Sequence, residues 1–131
     1  MIDSSVLVAA ERGKLDFGDF LRRYAGESVS ISVITASELL HGVRRAATAD
    51  QRQKREAFVE GLLAQFDVAP IDLTVARKHA ELFAALSAAG KPVGAHDLLI
   101  AATAASRGEK VISRDARSFP NVPGLMFETD S

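Results

Sequence analysis

"GAHDLLIAATAASRGEKVISRD", residues 94 to 115, contains a helix and then a strand, each with a carboxylate at one end, and its reading decides the fold. The segment "DLLIAATAASRG" is apolar nearly all round, which predicts a helix buried in the middle of a domain and ending near Gly108. "KVIS", residues 110 to 113, is then a short core strand. Strands separated by helices imply crossover connections, hence a mostly parallel sheet with helices on its faces. Asp97 stands at the start of the helix and Asp115 just beyond the strand.

Working outward, "SVSISV", residues 28 to 33, alternates serine with Val29, Ile31 and Val33, the period of a strand with one apolar face. "LMFE", 125 to 128, is a further strand candidate, and the start, "MIDSSVLVAA", reads as a very short strand turning straight into a helix. Helices are expected over 16–25, stopping at Gly26, over 36–46, over 49–66 and over 73–89. The last places Ala76, Phe83 and Leu86 on one stripe, with Leu82 beside it and a stop at Gly90. No repeat or linker interrupts this alternation, so residues 1–131 are expected to form one α/β domain.

Composition narrows the function. With 47% hydrophobic and 25% charged residues the chain has the make-up of an ordinary soluble globular protein. It has no cysteine, which excludes disulfides and thiolate metal sites and suits a reducing cytoplasm. Apolar runs such as "LLIAATAA" are far short of the roughly 20 residues that cross a bilayer. An acid stands where a secretory signal would have a basic region, so no export is expected. A net charge of −1 argues against coating nucleic acid by bulk electrostatics. Locally, "RRAATADQRQKR", residues 44 to 55, gathers five basic residues against Asp50, either as a solvated helix face or as a phosphate-contacting arm.

In a parallel sheet the carboxyl ends of the strands and the amino ends of the following helices form the ligand crevice. Asp3, Glu38, Asp97 and Asp115 all fall there. Each also has a structural explanation: Asp3 as an N-cap, Glu38 as the far end of a capping box opened by Thr35, Asp97 as a partner of its helix dipole, Asp115 as a turn residue. Four converging carboxylates repel, however, by on the order of 4 kcal/mol for two charges about 4 Å apart at an effective dielectric near 20. Protonation or a bound cation must compensate. Oxygen donors without a histidine or cysteine cluster select a hard ion, Mg²⁺ or Mn²⁺, over zinc, and such an ion suits phosphate chemistry.

The blocks "MIDSSVLVA", "SVITASELLHGV", "GAHDLLIAATAASRG" and "VISRDARSFPNVPGL" resemble, in the same order, the four signature blocks of PIN-domain ribonucleases, specifically the VapC-type toxins of bacterial toxin–antitoxin pairs. The resemblance implies a three-layer α/β/α fold with a central, mostly parallel sheet, and a magnesium-dependent endoribonuclease, with Mn²⁺ a possible substitute. It also implies a homodimer and a small antitoxin that blocks the acidic site. Asp3, Glu38, Asp97 and Asp115 match the family's acidic quartet; Asp3 and Asp97 match its most dependable metal ligands, and Glu38 and Asp115 additional ligands or positioners of water. Ser5 and Ser113 match small hydroxyl positions beside the quartet. One departure is that only Met1 and Ile2 precede Asp3, where family members have several residues of first strand.

The expected reaction is in-line hydrolysis of an RNA phosphodiester by a metal-activated water, without a covalent enzyme intermediate. His41, three residues after Glu38, His79 and His96 are scattered and read as structural. Arg44, Arg45, Arg52, Lys54 and Arg55 are candidates for gripping substrate, and Arg114 and Arg117 flank Asp115. With one tyrosine and no tryptophan, base stacking is not expected to dominate. Two readings compete: a catalytically silent PIN-like scaffold for an antitoxin, and a receiver-type phosphate switch. The switch calls for paired acids in the first block, where "MIDSS" has one.

Overall fold

The computed structural model describes residues 1–130, and its sheet is assembled around a rung only three residues long. Ile2 bridges Ile112 in parallel. Asp3 N–H donates to Ile112 O and Ile112 N–H to Met1 O, both at 2.9 Å, while on the other side Ile2 N–H donates to Ser30 O at 2.8 Å. Beyond the rung on one side lie β1 (Ser30–Ser32) and its parallel partner β2 (Asp67–Ala69). On the other lie β3 (Val111–Ser113) and its parallel partner β4 (Phe127–Thr129). The order across is therefore β2, β1, rung, β3, β4.

Side chains alternate between the two faces of such a sheet. Met1 and Val111 enter one hydrophobic core, Ile2 and Ile112 the other. The first core is closed by α5 (Leu73–Ala89) and α6 (Ala95–Ser106) through Val75, Leu82, Leu86 and Ile100. The second is closed by α1 (Ser4–Glu11), α2 (Phe17–Arg23), α3 (Val33–Arg44) and α4 (Ala49–Gln65), with Leu7, Phe20, Leu39 and Leu62 among its members. This is the three-layer parallel α/β arrangement that the sequence predicts. A short 3-10 turn (Phe119–Asn121) seats Phe119 in the first core.

Local chemistry sets the helix ends. Asp16, Thr48 and Asp72 each accept a backbone N–H at the start of α2, α4 and α5. Gly90 closes α5 with φ 67°, a left-handed conformation that glycine adopts without steric cost. Among the described residues no helix is long and apolar enough to cross a membrane.

Several expectations need correction. The strands are shorter than the alternation suggests: 30–32 rather than 28–33, and 127–129 rather than 125–128. The helix expected from residue 36 begins at Val33, because Ser32, the last residue of β1, is itself the cap, its hydroxyl accepting Ile34 N–H at 3.0 Å. Thr35 is therefore buried inside α3, and the capping box with Glu38 does not form. On α5 the buried stripe is Val75, Leu82 and Leu86; Ala76 is exposed and Phe83 is 56% exposed. An alanine-rich helix has a wide apolar arc, so its period leaves the centre of the arc undetermined to about one residue, or 100°. Neither β2 nor the 3-10 turn is among the elements expected from the sequence.

Candidate functional site

Asp3 is the centre of the site and is only 6% exposed. It leaves the rung at its carboxyl end and caps α1. Its Oδ2 accepts from Ser5 Oγ at 2.9 Å, from Ser113 Oγ at 2.8 Å and, at 3.4 Å, from Ser5 N–H. A hydroxyl has one proton to give. With both donated to Asp3, the serine oxygens accept from the chain beyond β3: Ser5 Oγ from Arg114 N–H and Ser113 Oγ from Asp115 N–H, each at 3.0 Å. The two oxygens lie 3.1 Å apart. This network fixes one oxygen of Asp3 and ties the first block of the sequence to the last. Ser5 and Ser113 thus stand beside the acid, as the resemblance implied.

Glu38 lies in the second turn of α3 and is half-buried. Its Oε1 is buried without a hydrogen-bond partner among the described residues, and its Oε2 lies 3.8 Å from His96 Nδ1. Burial, followed by the charge of Asp3, pushes the Glu38 carboxyl above its ordinary range, and Asp97 adds to the rise. Asp97, in the first turn of α6, is also half-buried. Burial and then Asp3 raise its carboxyl as well, against a hydrogen bond from Ser118, with a further rise from Asp115. The charge of Asp3, at the carboxyl end of the rung, therefore reaches both Glu38 on α3 and Asp97 at the start of α6.

Asp115 differs from the other three. Arg117 grips both its oxygens, Nε on Oδ1 and one terminal nitrogen on Oδ2, each at 3.0 Å, and Arg117 N–H also donates to Oδ1 at 3.0 Å. That pairing holds the Asp115 carboxyl below the usual range. Arg114 leans the other way, its Nε 3.4 Å from Asp130. Of the cations on α3 and α4, Arg44, Arg45, Arg52 and Lys54 are exposed, whereas Arg55 donates to Gly42 O at 3.1 Å and pairs with Glu11 at 3.4 Å.

His96, structural by the sequence reading, is 62% exposed and stands over Glu38. The available signal was its place beside Asp97 at a helix start. His79 packs against Phe83, ring centres 5.9 Å apart, and His41 is exposed near the end of α3. A cavity of about 440 Å³ lined by Met1, Tyr24, Ser28 and Lys110 lies at the opposite, amino ends of the strands and contains none of the four acids.

Among the described residues no three His, Asp or Glu side chains form a ready-made cage. The donor chemistry nonetheless suits a hard divalent ion: oxygen donors from Asp3, Glu38 and Asp97, the last two with carboxyls raised by burial and then by the charge of Asp3, and a buried Glu38 oxygen without a partner. A cation held there would give the orphan oxygen a partner and offset the charge of Asp3 on its neighbours.

Comparison with known proteins places the geometry in context. The PIN domain family matches residues 1–125. The chain is 32% identical over 131 residues to Ribonuclease VapC1 of Rickettsia felis, covering all of this chain and 96% of that protein. It is 39% identical over 116 residues to Ribonuclease VapC5 of Mycobacterium tuberculosis, 88% of this chain and 82% of the relative. Among solved structures it resembles VapBC-5 of Mycobacterium tuberculosis, a member of the VapBC family of toxin-antitoxin systems, with a TM-score of 0.77 at 36% identity over 98% of this chain and 94% of that one.

Proposed function

Because this chain belongs to the PIN-domain family, and within it to the VapC ribonucleases, we propose that it is a metal-dependent endoribonuclease, the toxin of a type II toxin–antitoxin pair. The observation that carries the reading is that acids from distant segments meet: Glu38 keeps a buried oxygen without a partner among the described residues, and after burial the charge of Asp3 is the next cause that raises the carboxyls of both Glu38 and Asp97. Repelling carboxylates brought together in a crevice have little structural value without a cation to hold.

Asp3, Glu38 and Asp97 would hold the ion, Mg²⁺ or Mn²⁺, with Asp115 beside them, its two oxygens engaged by Arg117. When bound, such an ion neutralises charge on the phosphoryl oxygens and makes water a better nucleophile. The chain supplies the rest. Ser5 and Ser113 hold Asp3 Oδ2 in place, so that the carboxylate would be presented to a bound ion already oriented. Asp97 benefits from the positive end of α6, which favours its charged form against burial. The exposed cations of α3 and α4 attract the RNA backbone, and water attacks in line with the departing oxygen, without a covalent enzyme intermediate.

The whole chain acts as one PIN domain in the cytoplasm, and a small antitoxin covers the acids. A homodimer is supported by the apolar surface of α5, where Leu73 and Phe83 are more than half exposed. The test is incubation of the purified protein with a mixed small-RNA pool, first with Mg²⁺ or Mn²⁺ and then with chelator, beside Asp3→Asn and Asp97→Asn. Metal-dependent cutting that disappears in both variants is the expected result. Cutting that survives chelation or either substitution overturns the proposal.

A further inference from the structure

Asp115 and Arg117 form a unit whose geometry separates them from the other acids. Both Asp115 oxygens are engaged by the guanidinium two residues on, in the parallel fork that arginine makes with carboxylates. The loop that presents this arginine is anchored at three points. Its N–H is on Asp115 Oδ1, its carbonyl accepts from Asn121 Nδ2 at 3.2 Å, and two residues further on Phe119 is buried and stacked on Phe127. Arg117 nevertheless remains 89% exposed, and the charge of Asp97 is among those that hold its guanidinium protonated. Only two guanidinium N–H groups face Asp115, so the others point outward from a head whose direction is already fixed. Such an arginine is suited to take a phosphate, because little rotamer freedom remains to be lost on binding.

We propose that Arg117 binds the RNA phosphate beside the scissile bond and that Asp115 is its positioning residue, leaving Asp3, Glu38 and Asp97 as the carboxylates that face the metal. This assignment rests on the nuclease reading and gives Asp115 a different role within it. Arg114 and Arg55 do not compete for the phosphate, since Arg114 is drawn to Asp130, and Arg55 is held by Glu11 and Gly42.

The experiment measures two affinities on the full chain. Mn²⁺ binding is followed by the electron paramagnetic resonance of the free ion. RNA binding is followed in chelator by fluorescence anisotropy of a labelled mixed-sequence single strand. Arg117→Ala is expected to weaken RNA binding by about ten- to a hundredfold, with a salt slope smaller by about one. Asp115→Asn moves RNA binding the same way, and the double variant is no worse than Arg117→Ala alone. Arg117→Lys restores part of the loss, because its charge remains but the fork does not. Mn²⁺ affinity is unchanged by Asp115→Asn and falls in Asp97→Asn. Loss of Mn²⁺ binding in Asp115→Asn equal to that in Asp97→Asn makes Asp115 a ligand and overturns the assignment. So does wild-type RNA affinity in Arg117→Ala. If the wild type cuts RNA while either result holds, only this assignment falls; if the wild type neither binds nor cuts RNA with Mn²⁺, the nuclease reading falls with it.

Discussion

Ser113→Ala removes a single oxygen from the middle of the network around Asp3, and the structure allows its effect to be worked out. Ser113 is fully buried, donates to Asp3 Oδ2 at 2.8 Å and accepts from Asp115 N–H at 3.0 Å. A hydrogen bond to a charged group contributes about 1.5–3 kcal/mol when no water can replace it. The bond from Asp115 N–H is only part-buried, so water can replace it and its loss adds little. The expected destabilisation is about 2 kcal/mol, which lowers the melting temperature by about 8 °C for a chain of this size. Ser5→Ala should cost less, since Ser5 is only half-buried and water can enter in its place. Both hydroxyls serve the same Asp3 oxygen, so the double variant should lose measurably more or less than the sum of the two singles. Urea unfolding followed by circular dichroism in chelator measures all three. A loss below about 0.5 kcal/mol for Ser113→Ala, the range of ordinary surface substitutions, would refute the claim that this network holds Asp3.

Two further outcomes are expected. Glu38 and Asp97 carry carboxyls raised by burial and by Asp3, so their contribution to stability is full below the ordinary values of 4.5 and 3.8 and is lost as pH climbs through the raised ones. Asp115 and Glu128, held low by Arg117 and Lys110, contribute oppositely, with stability lost as pH falls. Comparing metal-free wild type with Asp97→Asn isolates the first effect: the variant should lose less stability between about pH 4 and pH 7, and saturating Mg²⁺ should stabilise the wild type more than the variant. Equal pH profiles and equal metal responses in thermal melts would contradict the shared crevice. Phe20→Ala should destabilise by about 3–5 kcal/mol in urea titration, because Phe20 is fully buried, stacked on Phe17 and tilted against Tyr24, with centroids at 6.0 and 5.0 Å; a loss under about 1 kcal/mol would show that the pocket can collapse.

Elements with strong local signals were legible in the chain. The helix over 73–89 was readable from its apolar periodicity and its stop at Gly90, and the structure adds Asp72 as the cap at its start. The buried helix before Gly108 and the strand "KVIS" followed from continuous apolar composition. What escaped had no local signature. β2 is three residues directly after a long helix, too short to show alternation, and exists because it pairs with β1. The α3 start was misplaced because Thr35 was read as the cap, whereas Ser32, the last residue of β1, caps the helix one turn earlier. The acids were identifiable by their positions at element ends, but the separate character of Asp115 depends on the Arg117 side chain folding back, which no spacing rule reveals. The proximity of His96 to Glu38 likewise arises from α3 and α6 meeting in space.

The three-residue rung has one more implication. Met1 belongs to one core and Ile2 to the other, and the next residue is the acid at the centre of the site. The peptide segment that fastens the two halves of the molecule together is therefore the same segment that delivers Asp3 to Ser113 and sets it opposite Glu38 and Asp97. Assembly and arming are one event: a partly unravelled molecule, with its halves unfastened, cannot keep its carboxylates in company, so it is harmless to RNA for the same reason that it is unstable.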